Sequence, residues 1–182
     1  MSEHHSHHLV YGTLSDYLTG EELIDTDDER IRQQISRLMV EELGYQRDEL
    51  IPRLSIETLF TRNFVTSTID LTVEVDGRQV MIVRYGPGSL VSRERSALAA
   101  ARVLNEEYRI PLAVVTNGRD ALLLDTVTAK VIGQGMHAIP ARQQLLEMLP
   151  GLMFLSPQDT EKRLREKRIL NAFDLERCCI GI

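Results

Sequence analysis

Hydrophobic and polar residues alternate through residues 67–85, and this alternation predicts two β-strands joined by a tight turn. Asp76-Gly77 lies at the centre of the stretch and suits a two-residue type I′ turn, because both central positions need φ above zero. If this dipeptide forms the turn, the register is fixed and one face of the hairpin is apolar. That face is expected to carry Ile69, Leu71, Val73, Val75, Val80 and Ile82.

The same register places Asp70 opposite Val83 and Thr68 opposite Tyr85. Asp70 then lies in the middle of a hairpin that is otherwise strongly apolar. An acidic side chain in such surroundings needs a hydrogen-bond partner or a counter-ion. We expect it to be held by Tyr85, Thr68 or a basic neighbour such as Arg30. Asp70 is therefore a candidate functional residue.

A helix is predicted to begin after Thr26, because apolar residues follow at helical spacing until Gly44. These residues are Ile31, Ile35, Leu38, Met39 and Leu43. Thr26 is the expected N-cap and Glu29 the third helical residue, which together form a capping box. The cap alone suffices to explain Glu29, so a functional role for its carboxylate stays open at this point.

The remaining apolar runs predict further strands and helices, and residues 11–25 predict one or two helical turns near Leu14. Strands are expected at 53–60, 112–116, 121–125 and 130–132, and helices at 92–107, at 140–148 and from Ser156 onward. Together they predict an α/β (α+β) fold, with a mixed β-sheet of about four or five strands flanked by helices. We divide the chain into an N-terminal tail and lead-in (1–25), an α/β domain (26–139) and a C-terminal helical extension (140–182).

The length of 182 residues suits one domain with an extension. Apolar residues make up 43% of the chain and charged residues 26%, which is ordinary for a globular protein. No apolar run approaches the roughly 20 residues of a membrane span and no signal peptide is visible, so we expect a cytoplasmic protein without membrane contact. The adjacent Cys178 and Cys179 are the only cysteines, which fits a reducing compartment.

The net charge is −6, and the acidic residues concentrate in residues 1–50. Proteins that grip nucleic-acid backbones usually carry a basic surface, so this balance counts against strong nucleic-acid binding. The last predicted helix holds the one basic stretch, which comprises Lys162, Arg163, Arg165, Lys167 and Arg168. A solvated helix face is the usual meaning of such a run, and docking on nucleic acid or on an acidic partner is the sharper alternative. Exposed apolar surface on the last helices would also allow a homodimer.

The N-terminus is rich in histidine, with His4, His5, His7 and His8. We interpret it as a mobile tail that binds metal adventitiously. A dedicated metal site is the alternative, but nothing downstream supplies obvious companion ligands.

The central hairpin also carries a resemblance to a known family. Asp70 lies between hydrophobic residues, a turn follows, and an apolar strand ends near Gly86-Pro87. This arrangement resembles the core of the PD-(D/E)XK nuclease superfamily, and in particular the N-terminal nuclease-like domain of type I restriction enzyme R subunits. The helix start at 28–45 and the segment 111–118 are similar to that family in the same order, so the resemblance covers residues 25–139.

The resemblance implies a restriction-endonuclease-like sheet and a Mg²⁺-dependent site for DNA cleavage. Asp70 and the helix-borne Glu29 would be the metal ligands, with Mg²⁺ as cofactor if any activity remains. The family carries a Glu-x-Lys directly across from the Asp, and in the expected register these positions are Val83 and Tyr85. The second carboxylate and the lysine are therefore missing. We regard Asp70, Glu29 and Tyr85 as the residual site positions.

We therefore expect a catalytically silent protein of the nuclease fold with no certain cofactor. It would act as a nucleic-acid- or partner-binding module in a restriction or DNA-processing context, with the basic residues 162–168 as the candidate nucleic-acid contact. Two alternatives remain open. The chain is a divergent Mg²⁺-dependent DNA endonuclease with a rebuilt site, or it is a purely structural or interaction protein, which the acidic charge balance favours.

Overall fold

A computed structural model describes the backbone of residues 9–60 and 63–179, and the side chains of residues 9–58 and 65–173. The described strands are β1 (Val10–Ser15), β2 (Glu22–Thr26), β3 (Leu50–Phe60), β4 (Asn63–Val75), β5 (Arg78–Tyr85), β6 (Leu112–Thr116), β7 (Ala121–Asp125) and β8 (Lys130–Gln134). The described α-helices are α1 (Asp27–Arg37), α2 (Glu94–Val103), α3 (Arg142–Met148) and α4 (Thr160–Cys179). The predicted α/β fold class is confirmed. The histidine-rich segment 1–8 lies outside the described residues.

Six strands form one mixed sheet in the order β3-β4-β5-β6-β7-β8, and β1 pairs with β2 in a separate two-stranded sheet. Neighbouring strands of the large sheet are antiparallel except β5 and β6, which are parallel. Parallel neighbours need a crossover connection, and here α2 supplies it. The sheet has six strands rather than the expected four or five, because the strand predicted at 130–132 also joins it, as the edge strand β8.

Both faces of the large sheet are covered by helices, which divides the hydrophobic core into two clusters. One cluster joins the sheet to α1 and α3, through residues such as Ile35, Met39 and Leu145. The other joins it to α2 and α4, where the small side chains of Ala97, Ala100 and Ala101 let α2 lie close to the strands. A sheet covered on both faces agrees with the wholly apolar sequence of β6.

The β4–β5 hairpin turns at Asp76-Gly77 as the sequence predicts, with φ of 51° and 73° at the two positions. Beyond the turn, a β-bulge leaves one extra residue, Val80, on β5. The register therefore moves by one position, and Leu71 faces Val83. The expected pairing of Asp70 with Val83 is wrong for this reason.

The bulge also changes which side chains share a face, because a shift of one residue turns a strand over. Met81, Val83 and Tyr85 join Leu71 in the α1-facing cluster. Ile69 and Ile82 pack instead on the α2 side. The predicted apolar face is confirmed for Leu71, Val73, Val75 and Val80, which lie in the α1-facing cluster, and it is wrong for Ile69 and Ile82.

Asp70 lies at an irregular point of its strand. In the described β3–β4 ladder, pairing passes from Pro52–Leu71 to Leu54–Ile69 without a bridge between Arg53 and Asp70. Arg53 has a φ of 58°, a left-handed conformation that a regular strand does not contain. Ile69 and Leu71, two positions apart, consequently pack on opposite faces of the sheet.

The lead-in at residues 10–26 is a β-hairpin, so the predicted helical turns near Leu14 are wrong. The Asp16 carboxylate accepts hydrogen bonds from the backbone N–H groups of Leu18 and Thr19, both at 2.8 Å. Aspartate side chains that bond the following backbone in this way favour turns over helices. The turn brings β2 back along β1, and β2 leads directly into α1.

Helix α1 begins where the sequence predicts, with the Thr26 hydroxyl accepting the Glu29 N–H at 3.1 Å. The last helix, α4, begins later than expected, at Thr160 rather than after Ser156, because Asp159 accepts the Lys162 N–H at 2.9 Å. The backbone of α4 continues to Cys179. Among the described residues, no helix is long and apolar enough to cross a bilayer.

We predict that Gly118→Ala destabilises the fold more than Gly88→Ala. Both glycines have positive φ, 83° and 87°, so both substitutions carry the same backbone strain of about 1 kcal/mol. Only at Gly118 does the new Cβ meet a neighbour, at 2.7 Å from Cγ2 of Ile31 on α1. The clash is expected to add about 1–2 kcal/mol to the loss of unfolding free energy.

Chemical denaturation of the two variants measures this difference. Equal losses would contradict the close packing of α1 on the turn between β6 and β7.

Candidate functional site

Asp70 is buried, with 7% of its side chain exposed, and both of its carboxylate oxygens have partners. Oδ2 accepts the backbone N–H of Tyr85 at 2.7 Å, next to the last described pair of the β4–β5 ladder. Oδ1 accepts Nε of Arg32 at 2.5 Å. The carboxylate thus connects the end of the hairpin to α1 by one neutral and one charged hydrogen bond.

Arg32 rather than Arg30 is the counter-ion of Asp70. Arg30 projects to the other side of α1, where it pairs with Asp25 at 2.6 Å and lies over the ring of Tyr11. Two positions along a helix differ in direction by more than half a turn, so only one of the two arginines can face the sheet.

The Arg32 guanidinium lies between the two predicted metal ligands. Its Nη1 donates to Oε2 of Glu29 at 3.4 Å, while its Nε donates to Asp70. The second oxygen of Glu29, Oε1, accepts Nε2 of Gln33 at 2.9 Å. The fold therefore brings Asp70 and Glu29 to the same place, and a protein cation bridges them there.

Tyr85 completes this group of residues. Its hydroxyl donates to Oδ1 of Asp28 at 3.0 Å, and its ring centroid lies 5.4 Å from the guanidinium carbon of Arg32. Burial, together with the nearby charge of Asp28, raises the pKa of Tyr85 to about 12. The phenol stays protonated near neutral pH, so it donates hydrogen bonds and does not act as a base.

The hydrogen bonds continue from Glu29 into the lead-in hairpin. Gln33 Nε2 donates to Oδ2 of Asp16 at 3.1 Å, and Arg53 Nη1 donates to the same oxygen at 2.5 Å. Arg53 also reaches Glu21, at 2.8 Å. We call the chain Asp70–Arg32–Glu29–Gln33–Asp16–Arg53 the polar network.

Asp16 is a buried carboxyl of the polar network, with 2% of its side chain exposed. Burial by itself would raise its pKa, but hydrogen bonds from Arg53, Thr19, Gln33 and Leu18 outweigh burial and lower the pKa to about 2. The carboxylate form is thus strongly favoured in the folded state.

Sequence reasoning missed four members of the polar network, Asp16, Arg32, Gln33 and Arg53. The sequence offers one signal for Gln33, which lies four residues after Glu29 and therefore on the same side of α1. The positive φ that directs Arg53 toward Asp16 has no signal in the sequence.

The donor set of this site does not fit Mg²⁺. The ion needs about six oxygen ligands in octahedral geometry, among them free carboxylate oxygens. All four carboxylate oxygens of Asp70 and Glu29 already accept a protein hydrogen bond. Among the residues that the structure describes, no group of three or more acidic, histidine or cysteine side chains is arranged to hold a metal ion.

The five predicted nucleic-acid contacts in α4 do not form one continuous basic face. Arg163 pairs with Glu106, just beyond the C-terminal end of α2, at 3.0 Å. Lys162 pairs with Asp159, and Arg165 with Glu161. In the described part of the chain, Lys167 and Arg168 have no acidic partner within ion-pair distance.

Comparison with known proteins places these observations in a family. The family model described as the type I restriction enzyme R protein N terminus matches residues 27–140. The match begins at the first residue of α1 and includes the whole six-stranded sheet and its crossover helix. No curated protein and no solved structure matches the chain.

We predict that Asp16 stabilises the fold in a pH-dependent way. Its pKa falls from 3.8 to about 2 on folding, so its contribution is complete above pH 4 and is lost as the pH falls toward 2. A difference of nearly two pKa units corresponds to about 2 kcal/mol. Asp16→Asn should lower the unfolding free energy by about this amount at neutral pH, and by less as the pH approaches 2.

Urea unfolding at a series of pH values tests this, with Glu21→Gln as control because that partner of Arg53 is 65% exposed. A loss in Asp16→Asn that is constant from neutral pH to pH 2 would contradict the role of the carboxylate.

Proposed function

Because the chain belongs to the family of type I restriction enzyme R protein N termini, we propose that it is a catalytically silent member with the PD-(D/E)XK nuclease fold. It acts in a restriction or DNA-processing context by binding a nucleic acid or a partner, without cleaving DNA. The family match and the mixed sheet support a role in restriction or DNA processing. The chemistry around Asp70 supports the lack of catalytic activity.

The observation that carries this proposal is the position of Arg32. Phosphodiester cleavage by a metal requires an ion that contacts both the acidic side chains and the phosphate. In this chain, the guanidinium of Arg32 forms ion pairs with both Asp70 and Glu29, in the place where the metal ion would lie. Arginine stays protonated at all ordinary pH values and has no free electron pair, so it neither activates water nor binds a nucleophile.

The strand beside Asp70 supports the same conclusion in the observed register. The described ladder ends at Leu71–Val83. Continued by one residue, this register places Arg84 across from Asp70, and the second position of a Glu-x-Lys would be Gly86. Arg84 is buried and donates to the hydroxyl of Ser96 on α2 at 2.5 Å. Whether the motif is placed at Val83 and Tyr85 or at Arg84 and Gly86, neither a carboxylate nor a lysine stands there.

Without the second carboxylate and the lysine, the site lacks two different catalytic roles. A second carboxylate would share the ion with Asp70, and a lysine would orient or activate the attacking water. Tyr85, whose phenol keeps its proton, supplies neither. The divergent endonuclease remains the alternative, and it would need Arg32 to leave the two carboxylates.

We predict that the wild-type protein shows no saturable binding of Mg²⁺ or Mn²⁺ at millimolar metal, and does not nick supercoiled DNA. The reason is that the oxygens of Asp70 and Glu29 are already bound to protein donors. Titration calorimetry and a plasmid assay measure the two properties on the wild type, on Asp70→Ala and on the control Asp48→Ala, which removes an exposed acid.

Metal binding and DNA nicking that disappear in Asp70→Ala but persist in Asp48→Ala would contradict catalytic silence. That result would establish the divergent Mg²⁺-dependent endonuclease instead.

A further inference from the structure

A cavity of about 360 Å³ lies between α2 and α4, on the face of the sheet opposite to the polar network. This volume is in the range of small-ligand sites. Four cationic side chains line it, Arg95 and Arg102 from α2 and Lys162 and Arg165 from α4, with Glu166 as the one acidic residue. In a protein with a net charge of −6, such a concentration of positive charge is a local feature that attracts anions.

The base of the cavity is held rigidly by Arg102. Its Nε and Nη2 donate to the backbone carbonyl of Thr126 at 3.0 and 2.8 Å, and its Nη1 donates to Glu166 at 2.8 Å. These bonds fix α2, α4 and the turn after β7 relative to one another. The cavity is therefore formed before any ligand arrives, which lowers the cost of binding.

The rim of the cavity carries cations that remain available to a ligand. Arg95 has no acidic partner among the residues that the structure describes. Lys162 and Arg165 form ion pairs on the surface, where their side chains are 63% and 65% exposed. Exposed pairs of this kind contribute little, so a phosphate with two negative charges competes well for both side chains.

The rest of the lining is suited to a ring system. Leu98 and Ile169 provide apolar surface beside the cations. Gln158 also lines the cavity and adds a polar side chain to this surface. Apolar surface with a few polar groups at its edge is typical of sites that bind small ring systems.

We propose that this cavity binds a nucleoside phosphate, with the phosphate on Arg95, Lys162 and Arg165 and the base against Leu98, Ile169 and Gln158. The ligand is a free nucleotide or one nucleotide of a single strand, since both present the same chemistry. This inference rests on the proposed function, namely that the chain binds nucleic acid without cleaving it. The proposed site is shared between α2 and α4, and it replaces the basic residues 162–168 as the candidate nucleic-acid contact.

The experiment measures the affinity of the full chain for AMP, adenosine, inorganic phosphate and a short single-stranded oligonucleotide, at low salt and without metal. AMP should bind more tightly than adenosine or phosphate alone, because each of these makes only half of the contacts. An oligonucleotide that binds more tightly than AMP, with the same sensitivity to substitution, would identify the polynucleotide as the source of the nucleotide.

Arg95→Gln and Lys162→Gln should each weaken AMP binding about tenfold, since each removes a charge-assisted hydrogen bond. Arg168→Gln is the matched control, because this exposed residue of α4 does not line the cavity. All three side chains are on the surface, so unchanged thermal unfolding should show that each variant is folded.

The cavity proposal would be overturned if the wild type bound neither AMP nor the oligonucleotide. It would also be overturned if the three variants bound AMP with equal affinity. Neither result bears on catalytic silence, which the metal titration and plasmid assay test separately on Asp70. Conversely, metal-dependent cleavage that requires Asp70 would overturn the proposed function. The AMP affinities of these variants would still test the cavity proposal.

Discussion

The ion pair between Arg32 and Asp70 is the interaction on which the site depends. A buried carboxylate is strongly unfavourable unless a charged or hydrogen-bonding partner is present. Arg32 supplies the charge from α1, and the Tyr85 N–H supplies the second bond from β5. Because these bonds join the first helix to the central hairpin, the same pair that neutralises Asp70 also fixes how α1 lies across the sheet.

Two irregularities in the strands allow this arrangement. The bulge at Val80 shifts β5 by one position, and the left-handed Arg53 interrupts the alternation of side chains beside Asp70. Arg53 then reaches Asp16, which holds Gln33 and through it Glu29. The lead-in hairpin, outside the family match, thus contributes hydrogen bonds to the residues that the family match contains.

The sequence predicts best what is determined locally. The turn at Asp76-Gly77, the Thr26 cap and the apolar strand β6 follow from the conformations and periods that their residues prefer. The bulge and the choice of Arg32 over Arg30 depend on packing between distant segments, and no local pattern encodes them. For the candidate site, the meeting of Asp70 and Glu29 followed from the resemblance, whereas their bridging cation required the structure. The division of the chain at residues 25 and 139 stays a prediction.

The central claim is that a guanidinium takes the place of a metal ion between Asp70 and Glu29. Thermal unfolding of the wild type and of Arg32→Met, with and without Mg²⁺, tests it most directly. Arg32→Met should lose about 2–3 kcal/mol, because Asp70 becomes an unpaired buried charge, and Mg²⁺ should restore part of this loss. The wild type should unfold at the same temperature in both conditions. An equal stabilisation of both proteins by Mg²⁺ would contradict the claim.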